Sequence, residues 1–269
     1  MPTYFIEGGG NVHFEEANPE GHPSVVLLHG LGSAGEAWQL QFPPLADLGM
    51  RVLAPDVPGF GWSPWPGGKV SIPRFAEMMA KFIQGVGASP AHVVGISMGG
   101  TIALQLALDH PQHVRSLVLV NTFARLRPRR ADEWLYFLGR LLVARLVSIE
   151  KQADMVVKRI FPRPEQEELR QMLRKHILQA DPRVYRATMT ALFRFDVSRR
   201  LSEIHVPTLV VTGSADTTVD PAIQEELAQG IPNARHVIIP DAGHAVIADT
   251  TDAFNRTLVD FYRSLAGAG

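Results

Sequence analysis

Short apolar runs alternate with helical patterns along the first 122 residues. The runs SVVLLH, RVLAPD, AHVVGI and SLVLVNT each have the length of a buried strand. Between them, apolar residues recur at helical spacing over residues 36–48, 73–86 and 98–109. Upstream, TYFI and NVHFEEA flank a run of three glycines, which predicts an antiparallel hairpin. The alternation as a whole predicts a mainly parallel sheet with helices on both faces.

The rhythm changes after Thr122. Residues 125–195 have helical periodicity and no convincing strand. The alternation then returns with PTLVVTG, a helix at 222–229, ARHVIIP and a closing helix at about 252–265. We therefore predict an α/β fold: a mostly parallel central sheet of about eight strands, flanked by helices, with an inserted helical cap. The predicted core domain comprises residues 1–122 and 196–269, and the predicted cap comprises residues 123–195.

Ser97 lies between the end of an apolar run and the start of a helical pattern, in HVVGISMGGTIALQLA. A nucleophile at the tip of a parallel strand must turn sharply into a helix and hold its hydroxyl above the strand end. Side chains two residues away on either side would collide there, and Gly95 and Gly99 remove that clash. The pattern Gly-x-Ser-x-Gly also arises by chance, so this context is what makes Ser97 a candidate nucleophile.

A serine hydroxyl needs a base and an orienting acid, both at the ends of later strands. His244 follows the last apolar run, in PDAGHAVIAD, and is the best candidate base. Asp216 follows the preceding strand directly, in TLVVTGSADTTVDP, where its carboxylate could hold the imidazole of His244 in the correct tautomer. Asp220 precedes a proline and a helix, which favours N-capping, and Asp241 is better explained by a tight turn.

Hydrolysis at a carbonyl also requires two donors for the oxyanion. The backbone N–H of Met98 comes with the turn at the serine, and the loop HGLGSAG offers the N–H of Leu31 as the second donor. Gly30 and Gly32 permit a close approach of this loop. We expect His29 to brace the loop through hydrogen bonds.

Charge and composition limit the classes of binding partner and of cofactor that the chain can have. The 26 basic residues nearly cancel the 27 acidic ones, so no global field favours nucleic acid, an anionic membrane or a highly charged substrate. With no cysteine, thiolate nucleophiles, iron–sulfur ligation and the usual structural zinc sites are excluded. We expect no metal and no cofactor. The start MPTYFIEGGG resembles no signal peptide, and no run approaches a membrane span, which predicts a cytoplasmic location.

Read in chain order, the motifs HGLG, GISMG, GSAD and AGHA resemble those of the α/β-hydrolase family. The likeness extends to PDVPGFGWS, similar to the family's Asp-x-x-Gly-x-Gly-x-Ser loop, and to Trp38. It covers essentially the whole chain. The resemblance implies the order Ser97, Asp216, His244 and a lid inserted after Thr122.

Departures from relatives within that family narrow the chemistry. Its dehalogenases and epoxide hydrolases use an aspartate nucleophile, whereas this chain has serine. Its carbon–carbon bond hydrolases tend to have Gly-Pro-Gly in the oxyanion loop, asparagine before the serine and tryptophan after the histidine. Here the loop is HGLGSAG, and Ile96 and Ala245 occupy the other two places. Arg194, in FRFD, could grip an acidic substrate, but an ordinary surface charge explains it better.

The first cap segment, DEWLYFLGRLLVARLV, is amphipathic. Its apolar side chains could pack on the core, line an apolar substrate channel, or, less favoured, contact a membrane surface. The candidate substrate-binding residues lie here, at the end of the cap and on the core loops: Gly30, Trp134, Phe137, Leu138, Leu141, Arg194, Val219 and Ala245.

The sequence thus predicts a cofactor-free carboxylesterase-type serine hydrolase that acts on small, largely apolar esters through an acyl-enzyme. Lactone, thioester and carbon–carbon bond cleavage and perhydrolysis remain open, since they reuse the same machinery. A different class of function is also open: a ligand-binding receptor that keeps a vestigial hydrolase site. The predicted partner is a small molecule, and the oligomeric state is left undetermined.

Overall fold

The computed structural model describes residues 2–126, 139 and 147–267. Eight strands form one sheet: β1 (Thr3–Ile6), β2 (Gly10–Ala17), β3 (Ser24–Leu28), β4 (Arg51–Pro55), β5 (Ala91–Ile96), β6 (Val114–Val120), β7 (Thr208–Gly213) and β8 (Arg235–Ile239). Their order across the sheet is β1-β2-β4-β3-β5-β6-β7-β8. The pairs β1–β2 and β2–β4 are antiparallel, and all the others are parallel. The predicted fold class is confirmed.

Nine α-helices occur among the described residues: α1 (Phe42–Ala46), α2 (Ile72–Gly85), α3 (Met98–Asp109), α4 (Ile149–Ile160), α5 (Glu167–Gln179), α6 (Pro182–Arg194), α7 (Pro221–Gly230), α8 (Val246–Asp249) and α9 (Thr251–Ala266). Short 3₁₀ helices lie at Gly35–Gln41, Pro111–His113, Pro164–Gln166 and Ser198–Glu203. The helices α4, α5 and α6 lie in the segment between β6 and β7, and α8 and α9 follow the last strand.

The sheet separates two apolar cores. Alternate side chains of a strand point to opposite faces. Val25 and Leu27 of β3 therefore belong to one core, with α9, whereas Val26 and Leu28 belong to the other, with α2 and α3. Because both faces are covered, the central strands are continuous apolar runs. This is why β3, β5 and β6 are recognisable in the sequence.

One predicted helix is wrong. Residues 36–48 form two short elements, the 3₁₀ helix Gly35–Gln41 and then α1, instead of a single helix. The cause is Pro43 and Pro44, which lack backbone N–H groups and are tolerated only in the first turn of a helix. The chain therefore starts a new helix at Phe42.

The segment inserted between β6 and β7 leaves and rejoins the core at one place. Arg125 pairs with Asp196 in an isolated antiparallel bridge, and the N–H of Val197 donates to the carbonyl of Ala124 at 3.0 Å. Between these points, the described residues form the helices α4, α5 and α6 and no strand, as the sequence predicted. The exact division into core and cap stays a prediction.

In the described ranges, no helix combines the length and the apolar character that crossing a membrane requires. The parallel strands β3, β5, β6, β7 and β8 all end at the same edge of the sheet. The loops that follow them carry the candidate residues.

Candidate active site

Ser97 lies in a sharp turn between β5 and α3. Its backbone has φ 54° and ψ −114°, in the positive-φ region that a serine rarely adopts. A Cβ atom on Gly95 would clash with the Gly99 carbonyl, and one on Gly99 would clash with the Leu28 carbonyl. Glycine is therefore required at both positions for the strand to turn directly into the helix.

His244 and Asp216 form a hydrogen-bonded pair. The distance from Nδ1 of His244 to Oδ2 of Asp216 is 2.9 Å. A carboxylate can only accept, so Nδ1 carries the proton and the lone pair of a neutral ring is on Nε2. The other carboxylate oxygen accepts from the N–H groups of Thr218 and Val219, at 2.7 and 3.0 Å. These contacts fix the orientation of the carboxylate and hence of the imidazole.

Ser97 and His244 line one cavity. Among the hydrogen bonds of the described residues, none joins the Ser97 hydroxyl to His244. Such links are often long before a substrate binds. The competing acid, Asp220, accepts a hydrogen bond from the N–H of Ala222 at 2.8 Å, so its predicted N-cap role is confirmed.

Asn121, directly after β6, ties the loops of the site together, and the sequence motifs do not reveal it. Its Nδ2 donates to the carbonyls of Gly243 and His244 at 2.9 and 2.7 Å, and its Oδ1 accepts from the N–H of Gly213 at 2.8 Å. The next residue, Thr122, donates from its hydroxyl to the Ser97 carbonyl at 2.7 Å. The only sequence signal is a pair of polar residues at the end of a buried strand.

The loop after β3 runs beside the serine. A Cβ on Gly30 would lie 3.6 Å from Cβ of Ser97. His29, fully buried, donates from Nδ1 to the Gly30 carbonyl at 2.8 Å and accepts at Nε2 from the Val57 N–H at 2.9 Å. Its expected bracing role is confirmed. Burial lowers the pKa of His29, which keeps the ring in the neutral form that this pair of bonds needs.

A cavity of about 210 Å³ opens over Ser97. Of the predicted substrate-binding and oxyanion residues, Gly30, Leu31, Val219 and Ala245 line it. Arg194 does not line it and is exposed at the last turn of α6. Met98 is fully buried behind the turn. Trp134, Phe137, Leu138 and Leu141 lie outside the described residues.

The roof of the cavity comes from α4, α5 and α6, whose residues are not among the sequence candidates apart from Arg194. Its apolar members include Val156, Leu173, Tyr185, Met189 and Leu192. Polar side chains are few; besides Ser97 and His244 they include Ser33, Arg159, His176 and Thr218. A mostly apolar cavity with a few convergent polar groups is typical of small-molecule sites. Within the described part of the chain, no cluster of three or more His, Asp or Glu residues could hold a metal ion.

With this geometry in place, comparison with known proteins decides the family. A family model described as the α/β hydrolase fold matches residues 23–250. The chain belongs to the α/β-hydrolase fold family. The resemblance seen in the sequence motifs is therefore confirmed.

Individual relatives differ in the substrates that their names give. RutD of Variovorax paradoxus (strain S110), named as a proposed carbamate hydrolase, is 31% identical and covers 96% of this chain and 98% of its own length. The 2-hydroxy-6-oxo-6-phenylhexa-2,4-dienoate hydrolase of Comamonas testosteroni is 28% identical, and the match covers 94% of this chain and 91% of that protein. The crystal structure of the enol-lactonase from Burkholderia xenovorans LB400 aligns with a TM-score of 0.87 and 29% identity, and the alignment covers 97% of this chain and 100% of the enol-lactonase chain. These similarities support hydrolase activity without selecting one substrate.

Proposed function

We propose that the protein is a serine hydrolase that cleaves carboxylic esters of small, largely apolar substrates through an acyl-enzyme. Ser97 is the nucleophile, His244 the general base and acid, and Asp216 the residue that orients His244. The observation that carries the proposal is the His244–Asp216 hydrogen bond at 2.9 Å, beside the same cavity that Ser97 lines. The strained backbone at Ser97 supports it, because such strain concentrates at functional sites.

In the proposed reaction, Oγ of Ser97 attacks the ester carbonyl while Nε2 of His244 takes the hydroxyl proton. The carbonyl oxygen becomes an oxyanion, which the backbone N–H groups of Leu31 and Met98 stabilise. As the carbonyl re-forms, the bond to the alcohol oxygen breaks and His244 donates its proton to that oxygen. Water, deprotonated by His244, then attacks the acyl-enzyme and releases the acid and free Ser97.

Esters fit the cavity better than charged substrates do. Apart from the cation Arg159, its lining is mainly aliphatic and aromatic, and burying a charge among such groups without a partner is unfavourable. A lactone is a cyclic ester, so lactone hydrolysis is the second candidate, favoured by the likeness to the enol-lactonase structure. Carbon–carbon bond hydrolysis is the third, favoured by the Comamonas relative. We further propose that residues 123–195 act as a cap over this site.

A panel of substrates separates these reactions. Nitrophenyl esters of increasing acyl length would be measured beside lactones and a ring-fission dienone, with wild type and Ser97→Ala in parallel. The proposal expects the highest kcat/KM on a short or medium acyl ester. A higher value on a lactone or on the dienone would replace the ester assignment with the corresponding alternative.

A receptor with an inactive site is distinguished by covalent labelling. A fluorophosphonate probe would form an adduct with Ser97 in the wild type, and Ser97→Ala would remain unlabelled. Tight binding of a small molecule with no labelling and no turnover would instead favour the receptor.

A further inference from the structure

His176, on the cap helix α5, lines the cavity and connects it to the core. The residue is 1% exposed. Its Nε2 lies 3.0 Å from Oε2 of Glu36, in the 3₁₀ helix that follows the loop beside Ser97. Lys175, the preceding residue, also contacts Glu36, at 3.2 Å, but its side chain is exposed and does not line the cavity. The ring is therefore held at a fixed place in the cavity wall.

The contact with Glu36 decides what the other ring nitrogen can do. The hydrogen bond from His176 is the largest cause that lowers the pKa of Glu36. The side chain of Glu36 is therefore a carboxylate, which can only accept hydrogen bonds. When the ring is neutral, the proton between His176 and Glu36 is on Nε2, and Nδ1 has a lone pair. Nδ1 is buried and has no hydrogen-bond partner among the described residues. Burying such an atom without a partner is unfavourable, and native proteins rarely leave it so.

The position of the ring relative to Ser97 follows from the sheet. Strand β3 is the neighbour of β5 on one side, whereas β6 and then β7, which precedes Asp216, lie on the other. A Cβ on Gly32 would meet Tyr185 and Ile177, so α5 and α6 lie directly over the loop after β3. His176 therefore stands on the far side of Ser97 from the Asp216 loop. A substrate bound at Ser97 and filling the cavity would reach it with a part remote from the Asp216 loop.

We propose that Nδ1 of His176 accepts a hydrogen bond from a hydroxyl or N–H group on the otherwise apolar body of the substrate. The inference rests on the proposed ester hydrolysis and names its substrate class: esters that carry one hydrogen-bond donor away from the scissile bond. The analogue without the donor is a poorer substrate, because it leaves Nδ1 buried and unpaired. Oγ1 of Thr218 also lines the cavity and has no hydrogen-bond partner among the described residues; Thr218 follows β7, on the opposite side of Ser97, and is a competing site.

Three variants separate recognition of the substrate's hydrogen-bond donor by His176 from the contact of His176 with Glu36. In His176→Gln, the amide can reach the position of Nε2 and keep the contact with Glu36, but no polar atom remains near Nδ1. In His176→Asn, the shorter amide places an acceptor near Nδ1 and loses the contact with Glu36. Lys175→Met removes the neighbouring cap-to-core ion pair and leaves the cavity lining unchanged, which makes it the matched control.

The measurement is kcat/KM for p-nitrophenyl hexanoate and for its monohydroxylated derivatives, with one hydroxyl position at a time. We expect the wild type to prefer at least one hydroxylated ester by about three- to ten-fold, the range of one hydrogen bond. His176→Gln abolishes this preference, His176→Asn keeps part of it, and Lys175→Met keeps it whole. Absence of any preference in the wild type overturns the inference, as does a preference that survives in His176→Gln.

Binding of the same esters to Ser97→Ala, with and without His176→Gln, gives a readout that needs no turnover. If Ser97→Ala binds a hydroxylated ester with a lower Kd than the plain ester, and His176→Gln removes this preference, the inference is supported. That holds even if the wild type hydrolyses none of the esters, a result that would contradict only the proposed function. Equal Kd values for the plain and hydroxylated esters, with normal ester turnover, would end only the inference.

Discussion

The side-chain amide of Asn121 donates a hydrogen bond of 2.7 Å to the backbone carbonyl of His244. The same side chain also bonds Gly243 and the N–H of Gly213 at the end of β7. One buried residue thus sets the spacing between the two loops that carry His244 and Asp216. In the proposed mechanism, the arrangement of Ser97, His244 and Asp216 depends on a residue that touches none of the reacting atoms.

Replacement of Asn121 tests this positioning role. Asn121→Ala leaves two carbonyls and one N–H without their partner, which we expect to cost about 1–3 kcal/mol of unfolding free energy and to lower kcat by roughly a hundred-fold. Urea unfolding and ester kinetics measure the two effects. Asn233→Ala is the control, since Asn233 also has a positive φ of 59° but lies exposed in a turn. A kcat for Asn121→Ala equal to that of the control would contradict the role.

The tautomer of His244 depends on Asp216. In Asp216→Asn the amide donates to Nδ1, which moves the ring proton to Nε2 and removes the lone pair that accepts from Ser97 in the proposed mechanism. We expect kcat on the best ester to fall by about ten-thousand-fold with the fold intact. Asp220→Asn is the matched control, because asparagine caps a helix as well as aspartate does. Equal losses in the two variants would show that Asp216 has no special part in the reaction.

The turn at Ser97 tolerates no side chain at Gly99. In Gly99→Ala the new methyl group meets the carbonyls of Leu28 and His29, which are backbone atoms of β3 and the following loop and cannot rotate away. We expect a loss of about 3 kcal/mol in unfolding free energy. Gly267→Ala is the control, since a methyl group there would lie 3.7 Å from its nearest neighbour, the Arg263 carbonyl oxygen. Comparable stabilities of the two variants would refute the packing argument.

Acid should destabilise the fold partly through His92. Burial is the main cause that lowers the pKa of His92 to about 4, below its ordinary value of about 6.5. The unfolded chain therefore binds the proton more readily between these values, so stability is full above pH 6.5 and is lost as the pH falls toward 4. This one group contributes a loss of about 2 kcal/mol between pH 7 and pH 5.

His92→Gln tests that contribution by urea unfolding at pH 7 and pH 5. We expect the difference between the two pH values to shrink by about 2 kcal/mol in this variant. The exposed residue His205 provides the control, as His205→Gln. An unchanged pH difference in His92→Gln would mean that other groups, such as His29, account for the acid sensitivity.

The sequence is informative where local chemistry decides the structure. Gly95 and Gly99 predict the turn at Ser97, because that turn is a property of five consecutive residues. The single helix predicted at 36–48 is wrong, since apolar spacing there is outweighed by Pro43 and Pro44. The roles of Asn121 and His176 cannot be derived from the sequence, because the partners of each side chain lie more than 90 residues away in the chain. Such contacts can be identified only once the order of the strands and the position of α5 are known.

The central claim is that Ser97 performs the reaction as a nucleophile. The most direct test is kcat for Ser97→Ala on the best ester of the panel, beside Ser202→Ala, an exposed serine outside the cavity. The account predicts a loss of roughly a million-fold for Ser97→Ala and no loss for the control. A decrease of less than about ten-fold in Ser97→Ala would contradict it, since removal of a true nucleophile leaves only the residual effect of binding and the oxyanion donors.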